Sequence, residues 1–360
     1  MAISTFILIG LFLIIFIWRV EGSWILLFGV SGSASLTVYL LKEKLLLLLD
    51  KMGFRQYIRE EGPAHHQSKK NTPTAGGIIF LLAIPLLFAW DLINENLYHP
   101  TNTNSWITST AASFNEHIIA CCVICVLSGT LGFADDYLKK AHKRNEGLTP
   151  KQKFLGQLVI AIILFMIYPR TGTYLGWYEI TLGKIGMLVF AFLLTSGTMN
   201  AVNLTDGLDG LACSVLGVSF LGVAFVVDGG SELKILSMLM AGLCFAFLLL
   251  NKHPARVFMG DTGSFLLGGT LAAIAWVSSK EWWLFAIIFV PILEIVSVII
   301  QIACSQISRR FWRLEWRPFK MTPLHHHLEF CGWSEKKIVY FMCLLQLIVI
   351  SLVLLIDAYL

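Results

Sequence analysis

Apolar residues in this chain come in long runs, at roughly 23–48, 75–93, 117–134, 154–169, 185–202, 211–227, 233–250, 265–277, 282–303 and 337–358. They do not alternate with polar positions, which excludes an outer-membrane barrel. Crossing a bilayer takes ~20 apolar residues in a helix. The pattern therefore predicts an all-α polytopic membrane protein with about ten transmembrane helices, as one integral-membrane domain over residues 1–360. Residues 1–18 are also apolar but lack the basic lead and small-residue cleavage site of a signal peptide. Residues 1–22 fit an interfacial helix, a re-entrant piece or an extra span equally well.

Composition agrees with this reading. Hydrophobic residues make up 56% of the chain and charged residues 14%, against ~25% charged in soluble domains. Too little polar surface exists to cover a globule, which excludes an ordinary cytosolic enzyme and a disordered chain. Cys122-x-x-Cys125 has the spacing of a redox or zinc pair, but it lies inside an apolar run without polar neighbours. It reads as small hydrophobes embedded in the membrane.

Charge matters by position. If ten helices cross the membrane, the loops 49–74, 135–153, 203–210, 251–264 and 304–336 share one side. With Lys42, Lys44 and Lys337 at their edges, they hold 22 of the 27 Lys and Arg residues. Positive charge marks the cytoplasmic side, so both termini are expected on the extracytoplasmic side. The same loops carry the polar motifs. These are residues 62–77, Asp135-Asp136, Asn203-Leu-Thr-Asp-Gly-Leu-Asp-Gly210, Met259-Gly-Asp-Thr-Gly-Ser264 and Pro323-Leu-His-His-His327. One polar site at the cytoplasmic surface is expected. A channel or transporter would need several ionisable groups at mid-span, where only Glu294 lies, three residues after Pro291.

The motifs limit the chemistry. Adjacent carboxylates at Asp135 and Asp136 repel, so one holds its proton more tightly unless a cation is near. Asp206, Asp209 and Asp261 lie in Gly-punctuated segments with Thr262 and Ser264 close by. Short oxygen side chains suit Mg²⁺, and Lys69, Lys70 and Lys151 suit a pyrophosphate beside it. No P-loop or dinucleotide fingerprint is present. Consecutive His325, His326 and His327 point in different directions on a helix and make a poor zinc set, so phosphate or sugar hydrogen bonding is expected of them. Arg309, Arg310, Arg313, Arg317 and Lys320, interleaved with aromatics, read as a segment lying on anionic lipid. Glu294 reads as a helix-packing carboxyl ahead of a catalytic one.

From about Gly53 onward the chain resembles the phospho-N-acetylmuramoyl-pentapeptide-transferase family. Phe133-Ala-Asp-Asp-Tyr-Leu-Lys139 and Asn203-x-x-Asp-Gly fit the wider polyprenyl-phosphate N-acetylhexosamine-1-phosphate transferases. Thr72-Pro-Thr-x-Gly-Gly77, Pro-Leu-His-His-His-x-Glu329 and Gly332-Trp-Ser are specific to the muramoyl branch, while Asn71 and Ala75 depart from its usual Gly and Met. The resemblance implies transfer from UDP-N-acetylmuramoyl-pentapeptide to undecaprenyl phosphate, giving lipid I and UMP. It implies Mg²⁺ as cofactor and an active site at the cytoplasmic face of the bacterial plasma membrane. It also implies a helix bent at Pro291 beside the lipid tail, no nucleic-acid partner, and a subunit that is often a homodimer. Asp261 is the implied metal ligand. Asp135, Asp136, Asp209 and His325 are the implied catalytic residues, with Asp135 as base and Asp136 tuning it. Lys69, Lys151, Asn203, Asn251, Phe258, His326 and His327 are the implied substrate contacts.

Overall fold

The computed structural model describes residues 23–55, 72–98, 116–144, 146–175, 178–227, 230–314 and 316–359. Residues 1–22 and the first part of the first motif, including Lys69 and Lys70, lie outside them. Twelve helices follow in order: α1 Ser23–Met52, α2 Ala83–Tyr98, α3 Glu116–His142, α4 Pro150–Ile167, α5 Gly183–Thr205, α6 Leu211–Val226, α7 Gly230–Asn251, α8 Gly260–Ser278, α9 Glu281–Ile287, α10 Phe289–Trp312, α11 Leu324–Phe330 and α12 Glu335–Tyr359. A 3-10 turn, Gly76–Leu82, leads into α2. Six helices among the described residues, α3, α4, α5, α7, α10 and α12, are long and apolar enough to cross a membrane. Two shorter apolar helices, Gly76–Trp90 and Leu211–Val226, accompany them. The chain is a polytopic membrane protein, all-helical among the described residues with one small exception, a hairpin of β1 (Gly172–Leu175) and β2 (Tyr178–Thr181).

Helix α8 is the centre of the bundle. Every residue from Asp261 to Val277 is buried, and α8 packs chiefly against α3 and α5. Small residues allow this close approach, as in other membrane helix pairs. A Cβ on Gly268 would strike the backbone of Met199 in α5, and one on Gly132 in α3 would strike the backbone of Asp261. Helix α4 starts at a capping box. Thr149 Oγ1 accepts from Gln152 N at 3.3 Å, Gln152 Oε1 accepts from Thr149 N at 2.9 Å, and Pro150 opens the first turn. Eighteen residues carry α4 ~27 Å to the far end of the bundle. There a buried Arg170–Glu281 ion pair, with Thr173 donating to Glu281 at 3.0 Å, holds the hairpin to α9.

Two predicted runs are divided differently in the structure. Helix α3 does not stop at residue 134; it continues to His142, so Asp135 and Asp136 are helical. The run 282–303 is broken at Ile288 into α9 and α10, and Pro291 stands in the first turn of α10 rather than bending one continuous helix. A proline there gives up only an N–H that has no partner within the helix. The break exposes backbone groups in an apolar setting, and side chains satisfy them. Gln346 of α12 accepts from Val290 N at 2.9 Å and donates to Ile287 O at 2.5 Å. Ser219 of α6 donates to the same carbonyl at 2.7 Å. An unmet backbone group in such surroundings costs ~1–3 kcal/mol. Gln346→Leu is therefore expected to lower stability by about that amount, seen as a reduced melting temperature in detergent. An unchanged melting temperature would show that the break is held otherwise.

Candidate active site

Asp136 sets the geometry. It projects from α3 onto the start of α8, where Met259 provides no side-chain cap. Its Oδ1 accepts from Asp261 N at 3.2 Å, and its Oδ2 accepts from Thr262 N at 2.9 Å and Thr262 Oγ1 at 2.6 Å. The carboxylate thus meets the positive end of a buried helix. Asp261 is therefore fixed in the first turn of α8, not in a free loop. The 73–77 segment supports this turn from the other side. Phe258 N donates to Pro73 O at 2.8 Å, and Gly76 N and Gly77 N donate to Phe258 O and Met259 O, each at 3.0 Å. A Cβ on Gly77 would collide with Gly263, which explains the paired glycines of that motif.

Around Asp261 acids and lysines alternate. Lys139 Nζ lies 2.7 Å from Asp135 Oδ2 and 3.1 Å from Asp261 Oδ1. Lys153 Nζ lies 3.1 Å from Asp135 Oδ1 and 2.7 Å from Asp261 Oδ2. Asn203 donates to Asp261 Oδ1 at 3.0 Å and to Ser264 Oγ at 2.9 Å. Leu148 N donates to Asp135 Oδ1 at 2.7 Å. Asp135 is fully buried, and its Oδ2, though near Lys139, accepts no aligned hydrogen bond. Asp135, Asp136 and Asp261 each offer an oxygen within 4.8 Å of the others. A hard all-oxygen set with one poorly satisfied buried oxygen fits a divalent cation.

The 203–210 segment connects this cluster to two others. Asp206 is half-buried and faces Asp261 and Asp136. Burial first, then repulsion from those two acids, pushes its carboxyl up to about 7, with Gly260 N–H and Lys139 pulling the other way. Gly207 lies under the ring of His325, leaving no room for a Cβ. Asp209 Oδ2 accepts from Ala255 N at 3.1 Å and lies 3.2 Å from His253 Nδ1, which is 3.0 Å from Glu335 Oε2. Asp209, His253 and Glu335 form the second group that could hold a metal among the described residues. Asn251 accepts from Gly210 N at 3.0 Å and donates to Val257 O at 2.9 Å, fixing the same corner.

Some expected residues do not reach the aspartates. Lys153, not Lys151, is the α4 lysine that the structure brings to them; Lys151 is exposed. His325 is buried, with Nδ1 at 3.1 Å and its backbone N at 3.2 Å from Glu294 Oε2. His326 pairs with Glu329 at 2.7 Å, whereas His327 accepts from Lys320 N at 3.1 Å and stands edge-on to Phe319. The three rings thus take different polar partners, although the His325 and His326 rings also touch, with centroids 4.2 Å apart. Glu294 joins α10 to α11 through His325. Phe258 is half-buried, held by its backbone beside Pro73. Sequence reasoning assigned no role to Lys139, Lys153, His253 or Glu335.

The family model described as glycosyl transferase family 4 matches residues 118–279. A phospho-N-acetylmuramoyl-pentapeptide-transferase of Geobacillus kaustophilus is 41% identical over 299 residues, covering 81% of this chain and 85% of the relative. The chain belongs to the phospho-N-acetylmuramoyl-pentapeptide-transferase family. Relatives of the same name from Geobacillus thermodenitrificans (38% identical, 88% of this chain and 92% of the relative) and Listeria monocytogenes (38%, 81% and 86%) agree. The glycosyl transferase match begins in α3 and ends just past α8, so in this transferase it contains Asp135, Lys139, Lys153, Asp206 and Asp261.

The high carboxyl value at Asp206 has a signed consequence. Between about pH 4 and 7 the folded protein holds a proton that the unfolded chain has lost, so this group makes stability fall as pH rises through that window. A divalent cation at the cluster favours the ionised form and expels the proton. Cation affinity, followed by calorimetry, is expected to rise from pH 6 to pH 8, and Asp206→Asn should flatten that rise. An identical slope in the variant would count against the assignment.

Proposed function

We propose that this chain transfers phospho-N-acetylmuramoyl-pentapeptide from UDP-N-acetylmuramoyl-pentapeptide to undecaprenyl phosphate, releasing UMP and forming lipid I. The observation that carries the reading is the alternation of Asp135 and Asp261 with Lys139 and Lys153 at the capped start of α8. It can take a diphosphate together with a divalent cation, here Mg²⁺. Asp261, helped by Asp136, would hold that ion, which would supply charge neutralisation at the phosphates.

The two lysines make the site adaptable. A diphosphate entering it competes with the carboxylates for both ammonium groups. Lys139 and Lys153 then bind phosphate oxygens, and Asp135 is released toward the acceptor. In the reaction a phosphate oxygen of the lipid forms a bond to the β-phosphorus, and the bond to UMP breaks. UMP leaves with the electron pair as a phosphate anion that the lysines stabilise. A phosphate monoester has a second pKa of ~6. At neutral pH most acceptor is already dianionic, and a remaining proton passes to Asp135. Asp136, occupied by the α8 cap, fixes the geometry between Asp135 and Asp261.

In this reading Asp209 and Asn251, beside His253, receive the uridine end, with Phe258 stacking on uracil. His325, held by Glu294 against Gly207, takes part near the phosphates. Asn203, Lys69, Lys151, His326 and His327 complete the nucleotide, sugar and lipid contacts. The positive loops support a site at the cytoplasmic face of the bacterial inner membrane, with ten spans and both termini outside. A homodimer is the expected assembly.

Asp261→Asn is expected to abolish UMP release from defined nucleotide and lipid substrates while leaving the melting temperature near wild type. Near-normal turnover at ordinary Mg²⁺ would contradict the proposal. Asp135→Asn should lose activity steeply at pH 6 and recover part of it by pH 9, because the acceptor is then deprotonated without help. Exchange of labelled UMP into the nucleotide sugar without lipid would instead point to a covalent phospho-sugar on the enzyme.

A further inference from the structure

The second half of α10 carries a pocket that the transfer reaction does not use. It occupies about 430 Å³ between α10 and the returning segment 317–322. Gln301, Ser305 and Arg309 line it from the helix, spaced by about one turn each, and Arg317, Lys320 and Thr322 line it from the segment. Its walls are fixed to each other. Gln301 Nε2 donates to Phe319 O and Gln301 Oε1 accepts from Phe319 N, both at 3.1 Å. Trp316 N donates to Ser308 Oγ at 3.0 Å. Lys320 is anchored at both ends, its N to His327 and its Nζ to Phe330 O at 2.9 Å.

Three cations, together with hydroxyl and amide groups, line this space, and no carboxylate does so among the described residues. That chemistry selects an anion with several acceptor oxygens, above all a phosphate. The surroundings select an amphiphile. Ile302 and Met321 form the apolar part of the lining. Ile299, Ile307, Phe311, Leu314 and Trp316 beside it are all exposed. Exposed apolar side chains next to a cationic recess suit a headgroup with acyl chains attached, better than a soluble ion. The lining includes none of Asp135, Asp136, Asp261, Lys139 or Lys153, and Ser305 lies eleven residues, ~16 Å along the helix, beyond Glu294.

We propose that this pocket binds the phosphate headgroup of an anionic bilayer phospholipid and anchors the α10–α11 segment to the membrane surface. The test uses the full chain in detergent and follows lipid retention by native mass spectrometry. Phosphatidylglycerol, phosphatidylcholine, undecaprenyl phosphate and soluble glycerol phosphate are offered separately. The wild type should retain phosphatidylglycerol in preference to phosphatidylcholine and glycerol phosphate. Arg309→Gln/Arg317→Gln should lose that retention roughly tenfold or more. Arg310→Gln/Lys336→Gln, with the same charge loss at exposed positions outside the pocket, should keep it, and melting temperatures identify any variant that is misfolded. Lys320→Gln supplies a second, independent pocket variant with the same expected direction. Equal retention by pocket and control variants would overturn the proposal. So would loss of undecaprenyl phosphate with phosphatidylglycerol unchanged, or a raised KM for the nucleotide sugar alone.

Discussion

Helix α8 begins inside the protein, with Met259, Asp261 and Thr262 all buried at its first turn. Its first backbone N–H groups need a partner, and their own sequence, Met259-Gly-Asp-Thr, provides no capping side chain before the helix. Asp136 supplies one from α3. For it to do so, α3 must extend past its apolar run and α8 must lie close against it, which the glycines at their contact permit. This single cap fixes the distance between Asp135 and Asp261, and with it the position of every other charge in the site.

A buried group of charges needs internal compensation. Three carboxylates, at Asp135, Asp136 and Asp261, face two ammonium groups, at Lys139 and Lys153, which leaves about one negative charge. That surplus adds to burial in raising the Asp206 carboxyl. A divalent cation reverses it, and a diphosphate then restores balance. The site is therefore arranged to hold metal and substrate together rather than either alone. Glu294 and His325 meet in a buried contact at 3.1 Å that seats α11 against the 203–210 turn.

The fold class was legible because long apolar runs carry little ambiguity, and the acids that come together, Asp135, Asp136 and Asp261, were legible because they sit in polar motifs between those runs. What was not legible concerned where helices end. Asp135-Asp136 read as a loop because hydropathy stops at residue 134, whereas the helix is continued by its packing on α8. With α3 extended, the four-residue spacing from Asp135 would have pointed to Lys139. The Thr149-Pro-x-Gln152 start of α4 was likewise a readable signal, and its register places Lys153 rather than Lys151 on the inner face. The break at Ile288 has no local cause before Pro291; it depends on Gln346 and Ser219, which are distant in sequence. His253 and Glu335 join Asp209 only through the fold.

Paramagnetic resonance with Mn²⁺ in place of Mg²⁺ tests the central claim most directly. One Mn²⁺ per chain is predicted to bind and, on addition of the UDP-linked substrate, to show hyperfine coupling to phosphorus. Both signals should be lost in Asp261→Asn and kept in His253→Gln. Mn²⁺ bound with unchanged phosphorus coupling in Asp261→Asn would contradict the account.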